Sequence, residues 1–100
     1  MMGRGSLYPP RSEGCWLCGN PLVEQHHVYG GVGRRQVSDR EGCTVFLCRE
    51  HHQGMRGVHQ DARLMEWLRQ DCQRRWEERE GLEGEEAHEA FRAVFGSSYL

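Results

Sequence analysis

The sequence predicts a small α+β domain: two strands, then helices, in the order β-β-α with a helical tail. Three observations carry that reading. Four of the five cysteines and five of the six histidines crowd into the stretch from Cys15 to His59. Two short β-like runs lie inside that stretch. After it, the apolar residues switch to helical spacing. A packed core gives no reason for such crowding, whereas thiolate and imidazole are the ligands that soft and borderline metals choose. The expectation is therefore a domain built around metal.

With 100 residues, 37% of them hydrophobic and 28% charged, the chain makes one domain with a thin core. A metal staple is a common remedy at that size. The net charge of -2 argues against a strongly basic nucleic-acid binder, but the average hides a split. Residues 1–60 carry seven Arg against five acids, and residues 61–100 carry six Arg against ten. A polyanion should therefore meet the first half. All 13 basic residues are Arg, which genomic base composition explains simply, although each Arg still offers bidentate phosphate contacts. No run resembles a signal peptide or a membrane span. Five cysteines with x-x spacing fit reduced, metal-binding thiols better than a disulfide framework, so the expected compartment is cytoplasmic.

Taken in order, residues 1–13 read as a flexible lead, 14–60 as the metal-built core, and 61–100 as a helical tail completing the same domain. Cys15-Trp16-Leu17-Cys18-Gly19-Asn20 has the form of a knuckle, in which Gly19-Asn20 tolerates the tight turn that two cysteines on one ion require. Trp16 is expected against the core. Leu22 to Tyr29 reads as a strand with His26-His27 near its end. Gly30 to Gly42, rich in glycine and arginine, reads as a long loop of a kind that is functional or disordered. Cys43 to Leu47 reads as the returning strand that delivers Cys48. From Asp61, an N-cap, a helix is expected to run to about Glu80 and stop at Gly81, with Leu64, Met65, Leu68, Cys72 and Trp76 as its apolar stripe and Asp71–Arg75 as an i,i+4 pair on its wet side. A shorter helix from about Glu85 to Phe95 presents Ala87, Phe91, Val94 and Phe95 and ends at Gly96. Cys43 and Cys72 read as core or strand thiols and His88 as a surface residue.

Cys15, Cys18, Cys48 and His51 form a Cys-x2-Cys…Cys-x2-His set. Tetrahedral zinc needs four such ligands, and the spacing lets each half supply two. His52 adjoins His51 and competes for the fourth place. His26 and His27 are neighbours on a strand, so their side chains point to opposite faces. If one binds a metal, the other must do something else or be displaced by local twist. Arg34, Arg35 and Arg40 in the glycine-rich stretch are the candidate phosphate contacts.

This pattern is similar to the HNH nucleases, the ββα-metal superfamily, and especially to its small phage- and prophage-encoded members. The likeness is carried by the Cys15-x-x-Cys18 knuckle, the strand ending in His26-His27, the strand leading into Leu47-Cys48-x-x-His51-His52, and His59. The ending Phe95-Gly96-x-x-Tyr99-Leu100 also looks like the tail of those phage proteins. The resemblance implies a zinc-stabilised ββα-metal core with His27 as the general base. It puts a catalytic metal on His26, His52 and His59, the last about one helical turn beyond the usual ligand. One place departs from the family. Five residues before Cys48, where Asn usually steadies the base through the loop backbone, this chain has Cys43, followed by Thr44.

The resemblance thus implies a metal-dependent DNA endonuclease with one structural zinc and one catalytic divalent ion. Its implied partners are DNA and phage packaging or recombination proteins, in a bacterial or phage-encoded setting. Imidazole ligands suit Zn, Ni or Mn better than Mg, which prefers oxygen. The alternative is a non-catalytic, zinc-stabilised module that binds DNA or protein.

Overall fold

β1 (Val23–His27) and β2 (Thr44–Cys48) pair antiparallel, with Val23 opposite Cys48, His26 opposite Val45 and His27 opposite Thr44. The computed structural model describes residues 6–8, 14–31, 33–55 and 57–100. The chain is a small α+β protein with a two-stranded sheet and, among the described residues, four helices: α1 (Arg34–Glu41), α2 (Arg49–His52), α3 (Ala62–Glu80) and α4 (Gly84–Phe95). Among the described residues, no helix is long and apolar enough to cross a membrane.

The strands alternate as a half-buried sheet must. On β2, Val45 and Leu47 are buried while Thr44 and Phe46 are half-buried. The first strand is shorter than the expected run from Leu22 to Tyr29. Leu22 is 79% exposed, whereas Val28 and Tyr29 leave the ladder to enter the core.

The expected loop from Gly30 to Gly42 is corrected by α1, which fills most of it. The helix is bracketed by Gly33 and Gly42, both in the left-handed conformation that glycine tolerates. It buries polar rather than apolar residues. Ser38 Oγ donates to Tyr29 O at 2.8 Å and accepts from Tyr29 N at 3.2 Å. Glu41 accepts from the Trp76 indole at 3.0 Å. These partners make the burial tolerable.

α3 has the predicted ends. Asp61 Oδ1 accepts from Arg63 N and Leu64 N at 3.0 and 3.2 Å, and Gly81 closes the helix in a left-handed turn. Leu68, Cys72 and Trp76 are buried, and Leu64 and Met65 pack on the core from its edge. On α4, Phe91 is buried against Tyr29, Trp76 and Phe95, with ring centroids 5.3, 5.4 and 4.5 Å away. Tyr99 stacks on Tyr29 and donates its backbone N–H to Gln73 at 2.7 Å, so the chain end is also pinned. One hydrophobic cluster joins strand residues Val45 and Leu47 to helix residues Leu68, Trp76, Phe91 and Phe95.

One further expectation is corrected here, and one is met in part. Tyr8 falls in the lead expected to be flexible, yet it is 1% exposed and its hydroxyl donates to Asp71. The rest of that lead, apart from Ser6 and Leu7, lies outside the described residues. The Asp71–Arg75 pair closes at 2.9 Å on a half-exposed face, with side-chain exposures of 23% and 39%. Arg75 lies 4.4 Å from the Tyr8 ring centroid and donates to Leu7 O at 3.2 Å, so the leading segment covers part of it.

Candidate functional site

The knuckle is built by its own backbone. Gly19 N–H returns to Cys15 O at 2.8 Å, Cys15 N–H to Asn20 O at 2.9 Å, and Gly19 sits at φ 83°. Trp16 N–H donates to Phe46 O at 2.9 Å and ties the turn to β2. Trp16 also packs edge-on against Tyr8, at the side of the core. Across from the knuckle, β2 ends at Cys48 and α2 begins at once, so one helical turn brings His51 back beside Cys48.

Cys15, Cys18, Cys48 and His51 thereby offer three sulfurs and one nitrogen, all within 4.8 Å of one another. Cys15 Sγ lies 3.8 Å from His51 Nδ1, Cys48 Sγ 3.3 Å from the same atom, and Cys18 Sγ 3.6 Å from Cys48 Sγ. His51, not His52, completes the group. Burial opposes a thiolate at Cys15, but backbone N–H groups from Cys48, Leu17 and Cys18 outweigh it and bring its pKa down to about 6. Cys18 moves the other way. The backbone N–H of Asn20 favours its thiolate, but burial and the neighbouring Cys48 and Cys15 thiols prevail and raise it. Three sulfurs this close repel one another as thiolates, and a shared cation relieves that repulsion.

A second cluster lies on the other side of α2. His26, His52 and His59 place ring nitrogens within 4.8 Å of one another. His52 Nε2 and His59 Nε2 are 3.1 Å apart. His52 Nδ1 donates to Glu24 Oε1 at 2.8 Å, which fixes the tautomer and leaves the Nε2 lone pair for the cluster. His26 is 4% exposed, and its Nε2 has no hydrogen-bond partner among the described residues. Burial first, then the nearby His52, His59, His27 and Arg69, pushes its pKa down to about 3, so the ring is neutral at neutral pH. His59 is lowered as well, by burial and by His52 and Arg35. An orphaned, buried, neutral nitrogen facing two more imidazoles is a donor set that fits a divalent cation.

His59 reaches this cluster without a longer helix. After α2 the chain doubles back, with Val58 N–H on His51 O at 2.9 Å and His59 N–H on His52 O at 3.2 Å. Gly57 permits the return, because a Cβ there would stand 2.7 Å from the His52 carbonyl carbon.

His27 points to a different partner. Its Nε2 lies 2.9 Å from Asp39 Oδ1 on α1. Even so, His27 lines the same cleft as His26, His52, His59, Gly30, Gly31 and Arg35. Of the three arginines singled out in the sequence, only Arg35 lines this cleft. Arg34 reaches Tyr99 Oη at 3.5 Å and Arg40 pairs with Glu41 at 3.3 Å. Glu24 and Arg69 were not legible as site residues. Glu24 meets His52 across 28 positions of sequence, and Arg69 acts on His26 from α3. Comparison of the chain with family models, curated proteins and solved structures gives no match in any of the three.

Proposed function

We propose that the chain is a metal-dependent DNA endonuclease of the HNH type. In this reading Cys15, Cys18, Cys48 and His51 hold a structural zinc, while His26, His52 and His59 hold a catalytic divalent ion. The observation that carries the proposal is the convergence of His26, His52 and His59, from three separate segments, around an unpartnered buried nitrogen beside His27. Zinc suits the first group because a tetrahedral ion with sulfur at about 2.3 Å and nitrogen at about 2.0 Å holds its ligand atoms roughly 3.5–3.8 Å apart. The separations of 3.3, 3.6 and 3.8 Å around Cys48 and His51 lie close to that. An all-imidazole second group favours Mn, Ni or Zn over Mg.

When bound, the catalytic ion supplies positive charge for the phosphoryl oxygens and the leaving oxygen. His27 takes the proton of the attacking water, a task to which an imidazole is suited. Glu24 orients His52, and Val45 and Leu47 anchor β2 in the core beside Cys48. Supercoiled plasmid incubated with Mn or Ni is expected to be nicked to the relaxed form, and EDTA is expected to stop the reaction. A wild-type chain inert with Mn, Ni, Zn and Mg overturns the reading. The rival, a non-catalytic zinc-stabilised module that binds DNA or protein, is favoured by one feature, Cys43 in place of the family's Asn, and it takes over in that event. Phage packaging or recombination proteins belong to the proposal as partners by resemblance.

DNA binding should centre on Arg35, which lines the cleft, rather than on Arg40, which is paired with Glu41. Arg35→Ala is expected to flatten the slope of log affinity against log salt by about 0.9, one phosphate contact on duplex DNA. Arg40→Ala is expected to leave the slope unchanged. An Arg40 effect as large as that of Arg35 would move the interface away from the cleft.

A further inference from the structure

His27 and Asp39 are twelve residues apart, and the helix between them brings them together at 2.9 Å. The pair is partly open to solvent, with side-chain exposures of 23% and 57%. An ion pair of that kind contributes little to stability. Its consequence is geometric. An ionised carboxylate can only accept a hydrogen bond, so the proton of a neutral His27 sits on Nε2 and the lone pair on Nδ1.

Asp39 is also held in place from its own element. Its neighbour Ser38 exchanges two hydrogen bonds with Tyr29, just past the end of β1, and Ser38 O accepts from Cys43 N at 2.8 Å. The segment carrying Asp39 is thereby pinned to the segment that follows His27. Cys43, which stands where the resembled family has Asn, is fully buried, and its carbonyl is taken by Val28 N–H at 2.9 Å.

We propose that Asp39 is the positioning residue for His27: it fixes the ring, selects Nδ1 as the proton-accepting atom, and performs the steadying task for which this chain has no Asn. The proposal rests on the reading of His27 as general base. It adds a residue and an atom to that reading, and α1 is the element that supplies them.

The test joins spectroscopy to kinetics in the zinc-loaded full chain. Imidazole 15N shifts of the wild type are expected to place the His27 proton on Nε2, and Asp39→Ala is expected to give a mixture of tautomers. With Mn present, Asp39→Ala should lower kcat for nicking on the order of 10–10²-fold, while KM stays within about twofold. Asp39→Asn is the discriminating variant. It is isosteric, but its amide offers an acceptor as well as a donor and carries no charge, so its spectra should show a mixture of tautomers and its loss should lie between wild type and Asp39→Ala. Asp39→Glu should recover part of the rate. A surface pair without a positioning role predicts an Asn variant equal to wild type.

A tautomer mixture in the wild type, or an unchanged kcat in Asp39→Ala, overturns the proposal. A wild-type chain that cuts no DNA overturns the endonuclease reading and the catalytic part of this one. The spectra then still decide whether Asp39 sets the tautomer.

Discussion

Cys15→Ser is expected to give a chain that neither keeps stoichiometric zinc nor melts cooperatively. The four candidate ligands join the knuckle to the end of β2 and the start of α2. Among the described residues its other links include Trp16 N–H on Phe46 O, the edge contact of Trp16 with Tyr8 and the Arg75 guanidinium 5.5 Å from the Trp16 ring centroid. Cys15 itself is fully buried, so the substitution leaves a hydroxyl and three remaining donors without room for a replacement ligand. Structural zinc in small domains contributes apparent binding free energy on the order of 10 kcal/mol. Net domain stability is only about 5–15 kcal/mol, so the loss of one ligand is enough to unfold the chain. Zinc content by elemental analysis and thermal melting by circular dichroism check the two halves. A Cys15→Ser protein with one zinc per chain and a sharp melt would show that the group is not the structural centre.

What could be read from the sequence was what is local. The ends of α3 are signalled within a few residues by Asp61 and Gly81, and both caps are present. The spacing within Cys15-x-x-Cys18 and Cys48-x-x-His51 is likewise local, and the four ligand atoms do come together. α1 carries only its bracketing glycines, Gly33 and Gly42, which a loop shares. No side chain caps its N-terminus, and its buried residues are Ser38 and Glu41. Glu41 is tolerated inside because Trp76, 35 positions away, donates to it, with Arg79 and Arg40 alongside. Periodicity of apolar residues cannot reveal a helix that buries polar ones. Tyr8 was hidden in the same way, since its partner Asp71 lies 63 positions away.

The histidine cluster shows the same division. Adjacent strand positions were enough to expect that His26 and His27 differ, and they do differ in contacts: His26 faces His52 and His59, and His27 faces Asp39. The reach of His59 depends on the doubled-back chain after α2, which a count of residues along a helix misjudges. The carboxylates of Glu24 and Asp39 meet their histidines through the fold and carry no spacing signature. Each is exposed enough to be read, in sequence, as an ordinary solvated acid.

His27→Ala and His26→Ala are expected to fail in different ways. General bases contribute ~10²–10⁴-fold in rate, so His27→Ala should lose nicking by about that factor. It should keep the structural zinc, the fold and DNA binding, because His27 is partly exposed and belongs to neither candidate metal-binding group. His26→Ala and His52→Ala remove one of the three imidazoles that would hold the catalytic ion. Their deficit should lie in metal affinity, so that raising Mn or Ni concentration restores part of the rate. His26 carries an additional cost, since its ring is buried on β1, and its melting point should fall further than that of His27→Ala. The measurement is nicking rate against metal concentration for wild type and the three variants. Saturating metal should bring His52→Ala toward wild type and leave His27→Ala low at every concentration. Equal rescue of His27→Ala and His26→Ala by added metal would place His27 among the ligands and leave the reaction without its base.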